Sequence, residues 1–150
     1  MNINIASINI NGLNTEKKKK MLHKFIIQHK LDIIYLQEHN LREDGKIQFL
    51  ERFYDIILNK SVNMRGGTCI IIRKSLNCTI ERVELSADSR IISTICRIQD
   101  KKIQLLNIYE LSGNNLHAER EKLFEKELPY YMRHNIPNTL MGGDFNSVLS

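Results

Sequence analysis

The sequence predicts a single α/β (α+β) domain over residues 1–150, a mixed sheet with helices packed on its outside. Three observations support this. β-Branched apolar runs of strand length recur along the chain, stretches of helical periodicity separate some of them into strand–helix–strand units, and the remainder follow one another as hairpins.

Residues 2–10 (NINIASINI) alternate and then run apolar, which suits a strand near the middle of a sheet, and Asn11-Gly12 breaks it. Thr15 is placed to cap a helix over 16–30, whose Leu22, Phe25, Ile26 and His29 share one face. Residues 32–37 (DIIYLQ) read as a short buried strand with Glu38 at its C-terminal end. A helical turn around 46–53 leads to a strand at 54–58, and Arg65-Gly66-Gly67 opens the continuous run TCIIIRK. Residues 77–85, 90–99 and 102–109 form antiparallel strands, with Gln99-Asp100-Lys101 as a hairpin turn. A helix covers about 117–133. A last strand, Thr139-Leu140-Met141, runs into Gly142-Gly143-Asp144-Phe145-Asn146.

Apolar residues make up 42% of the chain and charged residues 26%, the balance of an ordinary globular protein. No run of 18 apolar residues suggests a membrane span. The start shows neither a basic segment nor a small-residue cleavage site, so the expectation is an intracellular protein, nuclear or cytoplasmic, and not a secreted one. Cys69, Cys78 and Cys96 lie in strand-like runs without a CxxC pair and read as small buried hydrophobes. The formal net charge of +5 permits a phosphate-rich partner. The densest basic run, Lys17-Lys18-Lys19-Lys20, reads as the solvated start of a surface helix, with a nucleic-acid patch as the alternative.

Polar residues recur where apolar strands end: Asn9, Asn11, Glu38, Tyr109, Asp144 and Asn146. Open sheets place their sites at strand ends. Hydrolysis of a phosphodiester with Mg²⁺ needs oxygen ligands, one or two of them carboxylates. Glu38 suits such a ligand, and Asn9 can hold a bound water or a carboxylate through its amide. Asp144 is a candidate to orient or deprotonate the attacking water. Asn146, two residues on, reaches the same side of an extended segment, and Tyr109 offers a phenolic donor to phosphoryl charge. Each residue also has an ordinary reading: a solvated strand-end carboxylate, a packed tyrosine, an Asn-Gly turn, an Asx turn at Gly-Asp-x-Asn. His39 reads as a loop histidine making a local contact, with metal ligation as the alternative.

Order and spacing are more specific than any single residue. Ile8-Asn9-Ile10-Asn11-Gly12-Leu13, Asp32-Ile33-Ile34-Tyr35-Leu36-Gln37-Glu38, Arg65-Gly66-Gly67, Asn107-Ile108-Tyr109 and Gly142-Gly143-Asp144-Phe145-Asn146 resemble, in order, five motifs of the endonuclease/exonuclease/phosphatase superfamily. Within it, Asn-Ile-Asn-Gly-Leu and Gly-Gly-Asp-Phe-Asn are most similar to the LINE-type (non-LTR) retrotransposon endonucleases, relatives of the apurinic/apyrimidinic endonucleases. The resemblance implies a DNase I-like four-layer αββα sandwich of two mixed sheets, incomplete at the C-terminus. It implies Mg²⁺-dependent nicking of DNA (Mn²⁺ as a substitute), with a reverse-transcriptase region of the same longer polypeptide as a partner. By the same resemblance Glu38 and Asn9 serve the metal, Asp144 and Asn146 serve nucleophile and phosphate, Tyr109 contacts the phosphate, and Asn11 and Ser112 lie on the substrate side.

The sequence departs from that family in three places. His39-Asn40 stands where many relatives have Thr-His. Glu110-Leu111-Ser112 follows Tyr109 where a proline is usual, and Glu110 is expected to bring negative charge toward the phosphate and weaken DNA binding. The family's closing Ser-Asp-His and an acidic residue before it have no counterpart, and none of His23, His29, His117 or His134 sits in a matching context. The chain by itself is therefore expected to be a weak nuclease or an inactive one.

Overall fold

The computed structural model describes residues 2–42, 44–63, 65–110 and 116–144. Two four-stranded sheets form, with strand orders β1-β2-β4-β3 and β5-β6-β7-β8. The first contains β1 (Ile5–Asn9), β2 (Ile33–Gln37), β3 (Tyr54–Asn59) and β4 (Thr68–Arg73). Its β1–β2 pair is parallel and the others antiparallel. The second contains β5 (Thr79–Leu85), β6 (Ile91–Ile98), β7 (Lys101–Tyr109) and β8 (Asn138–Asp144), antiparallel except for the parallel β7–β8 pair. Each parallel pair needs a crossover, and the helical stretches supply it. Helix α1 (Glu16–Gln28) joins β1 to β2; α2 (Leu116–Lys122), a π-type turn (Leu123–Glu127) and α3 (Leu128–Tyr131) join β7 to β8.

Three apolar layers show how the pieces stack. Leu22 and Ile26 of α1 bury against Ile34, Leu36 and Ile71 on the outer face of the first sheet. Ile33, Ile70 and Ile72 meet Ile92, Cys96 and Leu105 between the sheets. Ile91, Leu106 and Ile108 pack under Leu123, Leu128 and Tyr131. Alternate residues of one strand serve neighbouring layers, because side chains flip faces at each step. The order is helix, sheet, sheet, helix, as the resemblance implies.

Local sequence accounts for much of this. Thr15 caps α1 by accepting a hydrogen bond from the Lys18 amide at 3.2 Å. Gln99 and Asp100 both adopt positive φ (51° and 64°), the mirror-image turn that closes a tight hairpin. Pro129 has no N–H to donate, and the helical ladder widens by one residue just before it.

Three expectations are corrected. β1 is an edge strand, not a central one, and Ile5 stays exposed there. On α1 the buried stripe is Leu22 and Ile26; Phe25 faces solvent and stacks on His29 with centroids 4.4 Å apart. The last strand continues through Gly142-Gly143-Asp144, paired with Asn107, Ile108 and Tyr109. Cys69 and Cys96 are buried, and Cys78 is half-buried.

Candidate active site

The register places four of the predicted polar residues at one end of the sandwich. Asn9 pairs with Gln37, the residue before Glu38, in the first sheet; Tyr109 pairs with Asp144 in the second. Two hydrogen bonds then cross from sheet to sheet. The Asn9 amide nitrogen donates to Asp144 Oδ2 at 2.7 Å, and the Tyr109 hydroxyl donates to Glu38 Oε1 at 2.6 Å. Residues 135 and 71 positions apart in the chain are thereby brought together.

Buried amides behind these pairs hold the two sheets in register. Asn107, wholly buried, donates to the carbonyls of Leu36 at 3.0 Å and Cys69 at 2.9 Å and accepts from Gln37 Nε2 at 2.9 Å. Gln37 also donates to Ser7 Oγ at 3.0 Å. A buried amide is tolerated only when its donors and acceptors are matched, so this cluster fixes one relative position of the sheets.

The loop after β2 is as closely determined. Glu38 adopts a left-handed backbone (φ 56°), uncommon for a residue with a long side chain. Its amide donates to the Gly67 carbonyl at 2.9 Å, and its carbonyl accepts from the Gly12 amide at 2.7 Å. His39 is fully buried: Nδ1 accepts from the Leu41 amide at 2.8 Å, so Nε2 carries the proton and donates to the carbonyls of Asn59 (2.9 Å) and Thr68 (3.2 Å). Burial pushes its pKa below the ordinary imidazole value. The ring lies flat against Gly67 (φ 92°), where any Cβ would strike it. Gly143 is equally constrained: at φ 143° a Cβ would run into the Ile108 carbonyl.

A cleft of about 860 Å³ opens beside Glu38 and Tyr109, with Arg65, Arg90 and Lys122 in its walls. Arg90 is held by Glu119 at 2.9 Å and Asp88 at 3.9 Å. Burial and the Glu38 carboxylate push the Tyr109 phenol well above its usual range, so it stays protonated and can donate.

Asn9, Glu38, Tyr109 and Asp144 thus lie at one end of the sandwich, joined in two pairs. Asn11 lines the cleft, and its amide donates to Asn9 Oδ1 at 3.2 Å. Asn146 and Ser112 lie outside the described residues. The expectation for Glu110 is corrected. One step beyond Tyr109 the strand flips face, so its carboxyl is buried near Arg120, Arg90 and Glu119 on the helix side and burial raises its pKa. Sequence reasoning passed over Gln37, Asn107 and Arg90. The available signal was an amide inside an otherwise apolar strand, at Gln37 and Asn107.

The donor set fits a hard divalent cation. Glu38 and Asp144 offer carboxylate oxygens and Asn9 an amide, and no cluster of three His, Cys, Asp or Glu side chains gathers among the described residues. Oxygen donors of this kind are what Mg²⁺ or Mn²⁺ take, alongside several waters.

No family model matches the chain. Solved structures do. TDP2 from Caenorhabditis elegans aligns at 22% identity and TM-score 0.76, over 97% of this chain and 48% of its own. An AP endonuclease from Archaeoglobus fulgidus aligns at 16% identity and TM-score 0.69, over 97% of this chain and 58% of that one. The human nocturnin catalytic domain, with a bound sulfate anion, aligns at 14% identity and TM-score 0.75, over 97% and 64%. The chain therefore spans about half to two-thirds of the length of these structures. At such identities the likeness speaks to architecture, and on that it agrees with the layers and register above: the chain has the DNase I-like α+β fold of two mixed sheets between helices.

Proposed function

We propose that this chain is the N-terminal part of a single Mg²⁺-dependent endonuclease domain that nicks a DNA phosphodiester, of the LINE-type retrotransposon kind. The observation that carries the reading is the pair of inter-sheet hydrogen bonds, Asn9 to Asp144 and Tyr109 to Glu38, with Glu38 and Tyr109 opening onto a cleft whose walls carry Arg65, Arg90 and Lys122 as well as Asp88 and Glu119. Structures of the same fold include AP endonucleases and a TDP2 from D. rerio complexed with a single-strand DNA product.

In this reading Glu38, with Asn9 beside it, holds the cation, which when bound supplies positive charge opposite the phosphoryl group. Asp144, its carboxylate oriented by the Asn9 amide, takes the proton of the attacking water. The water oxygen bonds to phosphorus, the bond to the 3′ oxygen breaks, and that oxygen leaves with the bonding pair and takes a proton from solvent to become a 3′-hydroxyl, while Asp144 returns its proton to solvent. Tyr109, kept protonated, turns its one hydroxyl proton from Glu38 to a phosphoryl oxygen as charge builds. Asn146 is assigned to the same phosphate or water, and Asn11 and Ser112 to substrate binding. The 3′-hydroxyl would prime a reverse-transcriptase region of the same polypeptide, in the nucleus or cytoplasm.

A second reading, a DNA-binding remnant with little activity, has its own observation. The fully buried His39 is committed to main-chain partners and offers no donor to a phosphate. Loss of one donor to the transition state costs roughly 10²–10³ in rate. Incubating supercoiled plasmid with the purified chain, in Mg²⁺ or in EDTA, tests both readings. Mg²⁺-dependent open circles that fall at least about 100-fold in Glu38→Ala and Asp144→Ala are expected for the nuclease. Their absence from folded wild-type protein supports the remnant, and faster turnover of a small phosphoester than of DNA would move the substrate elsewhere in the superfamily.

A further inference from the structure

The basic run at Lys17–Lys20 divides in the folded chain. Lys18 turns inward, its ammonium donating to the carbonyls of Ile10 at 2.6 Å and Asn11 at 3.2 Å, and Lys19 pairs with Glu16 at 3.1 Å. Lys17 and Lys20 remain outward and exposed, and Lys24 continues them on the same face of α1. Two adjoining clefts, of about 450 and 470 Å³, lie along this face and share His23 and Ile27. Across from the helix the second cleft reaches Arg52, Phe53 and Lys74, and no acidic side chain lines either one. Lys20, Lys24, Arg52 and Lys74 make no ion pair among the described residues.

Apolar surface is exposed among these charges. Ile27 is 59% exposed and Phe53 56%, with the Arg52 guanidinium 5.3 Å from the Phe53 ring centre. The surface is separate from the candidate active site. Lys74 follows the end of β4 that pairs with the start of β2, so it lies roughly 23 Å from Glu38, seven residues at 3.3 Å each. It is nonetheless connected to that site, because Lys18 ties the first turn of α1 to the loop carrying Asn11.

We propose that the outer face of α1 and the adjoining Arg52–Phe53–Lys74 corner bind single-stranded DNA. Lys20 and Lys24 sit one helical turn apart, roughly 6 Å, a spacing that follows the phosphates of an extended strand. With Arg52 and Lys74 they form a cationic track without the acidic neighbours that would neutralise it. Phe53 is a solvent-facing ring on which an unpaired base stacks, an interaction that a duplex, with its bases already stacked, does not offer. A strand leaving the site past Asn11 reaches this track along α1. The choice of DNA over RNA rests on the proposed function; the surface itself does not.

The test is fluorescence anisotropy with fluorescein-labelled (dT)20, in EDTA so that no cleavage intervenes. Wild-type chain is compared with Lys20→Glu/Lys24→Glu and with Phe53→Ser, all exposed positions, with circular dichroism to verify folding. The double variant is expected to weaken binding at least about tenfold and to lower the log–log salt slope by roughly 1.4, about 0.7 for each phosphate no longer neutralised. Phe53→Ser is expected to weaken it at least about fivefold at unchanged salt slope, and to leave a 20-base-pair duplex bound as before. An unchanged affinity in either variant overturns the proposal. So does r(U)20 binding tenfold tighter than (dT)20, or poly-glutamate displacing the oligonucleotide at equal charge concentration. Because the assay needs no turnover, failure of plasmid nicking leaves this result standing, and failure here leaves the nicking result standing.

Discussion

The two ends of the sandwich are held together by different physics. Away from the candidate site, the space between the sheets is filled mainly by Ile33, Ile72, Ile98 and Leu105, aliphatic and almost wholly buried, with the Tyr35 hydroxyl donating across to the Leu140 carbonyl at 2.7 Å. At the site end it is crossed by amides and a hydroxyl: Gln37 to Asn107, Asn9 to Asp144, Tyr109 to Glu38. Dispersion and burial are nearly indifferent to small shifts, so the aliphatic end sets how much the sheets attract but not their register to a fraction of an ångström. Hydrogen bonds are directional, and the buried one between Gln37 and Asn107 is costly to leave unmade. The site end is therefore where position is determined, and where Glu38 is kept in a backbone conformation it would not choose alone.

The sharpest way to break that contrast is at Gly143. Gly143→Ala forces a Cβ toward the Ile108 carbonyl and should destabilise by roughly 3–5 kcal/mol, read from urea unfolding, with the site end losing order first in hydrogen exchange. Asn107→Ala removes the side-chain donor to the carbonyls of Leu36 and Cys69 and one of the acceptors of the Gln37 amide, for an expected loss of about 2–4 kcal/mol. A loss under about 1 kcal/mol would mean that water replaces the amide and that the register does not depend on it.

His39 adds a pH dependence to the same end. Burial holds its folded-state pKa below the 6.5 of free imidazole, so the unfolded chain takes up a proton that the folded chain refuses. Its contribution is complete above that value and is lost as pH falls from there toward the lower folded pKa, at no more than about 1.4 kcal/mol per pH unit. Urea midpoints at pH 7.5, 6.5 and 5.5 should fall more in the wild type than in His39→Gln; equal declines would assign the effect to other groups. At the aliphatic end, Ile72→Val should cost only about 1 kcal/mol and leave the pH profile unaltered.

Local pattern carried a good part of this fold. Side-chain alternation, β-branched runs, Thr15 as a cap and the Gln99-Asp100 turn are readable within windows of a few residues, because backbone sterics and capping act at that range. The polar strand ends at Asn9, Glu38, Tyr109 and Asp144 were legible for the same reason: each interrupts an apolar run.

What tertiary structure decided is which of these meet. Asn9 and Asp144 are 135 residues apart, and only the placement of β1 and β8 in opposed sheets joins them. The edge position of β1 depends on strand order, which no window of sequence contains. Whether a residue such as Glu110 faces the site or the helices depends on register, where one step reverses the outcome. The chain's own chemistry thus supplied the elements and the candidate groups. Long-range pairing, with the buried amides of Gln37 and Asn107 matched across the sheets, decided their geometry, since a directional bond has meaning only once both partners are in place.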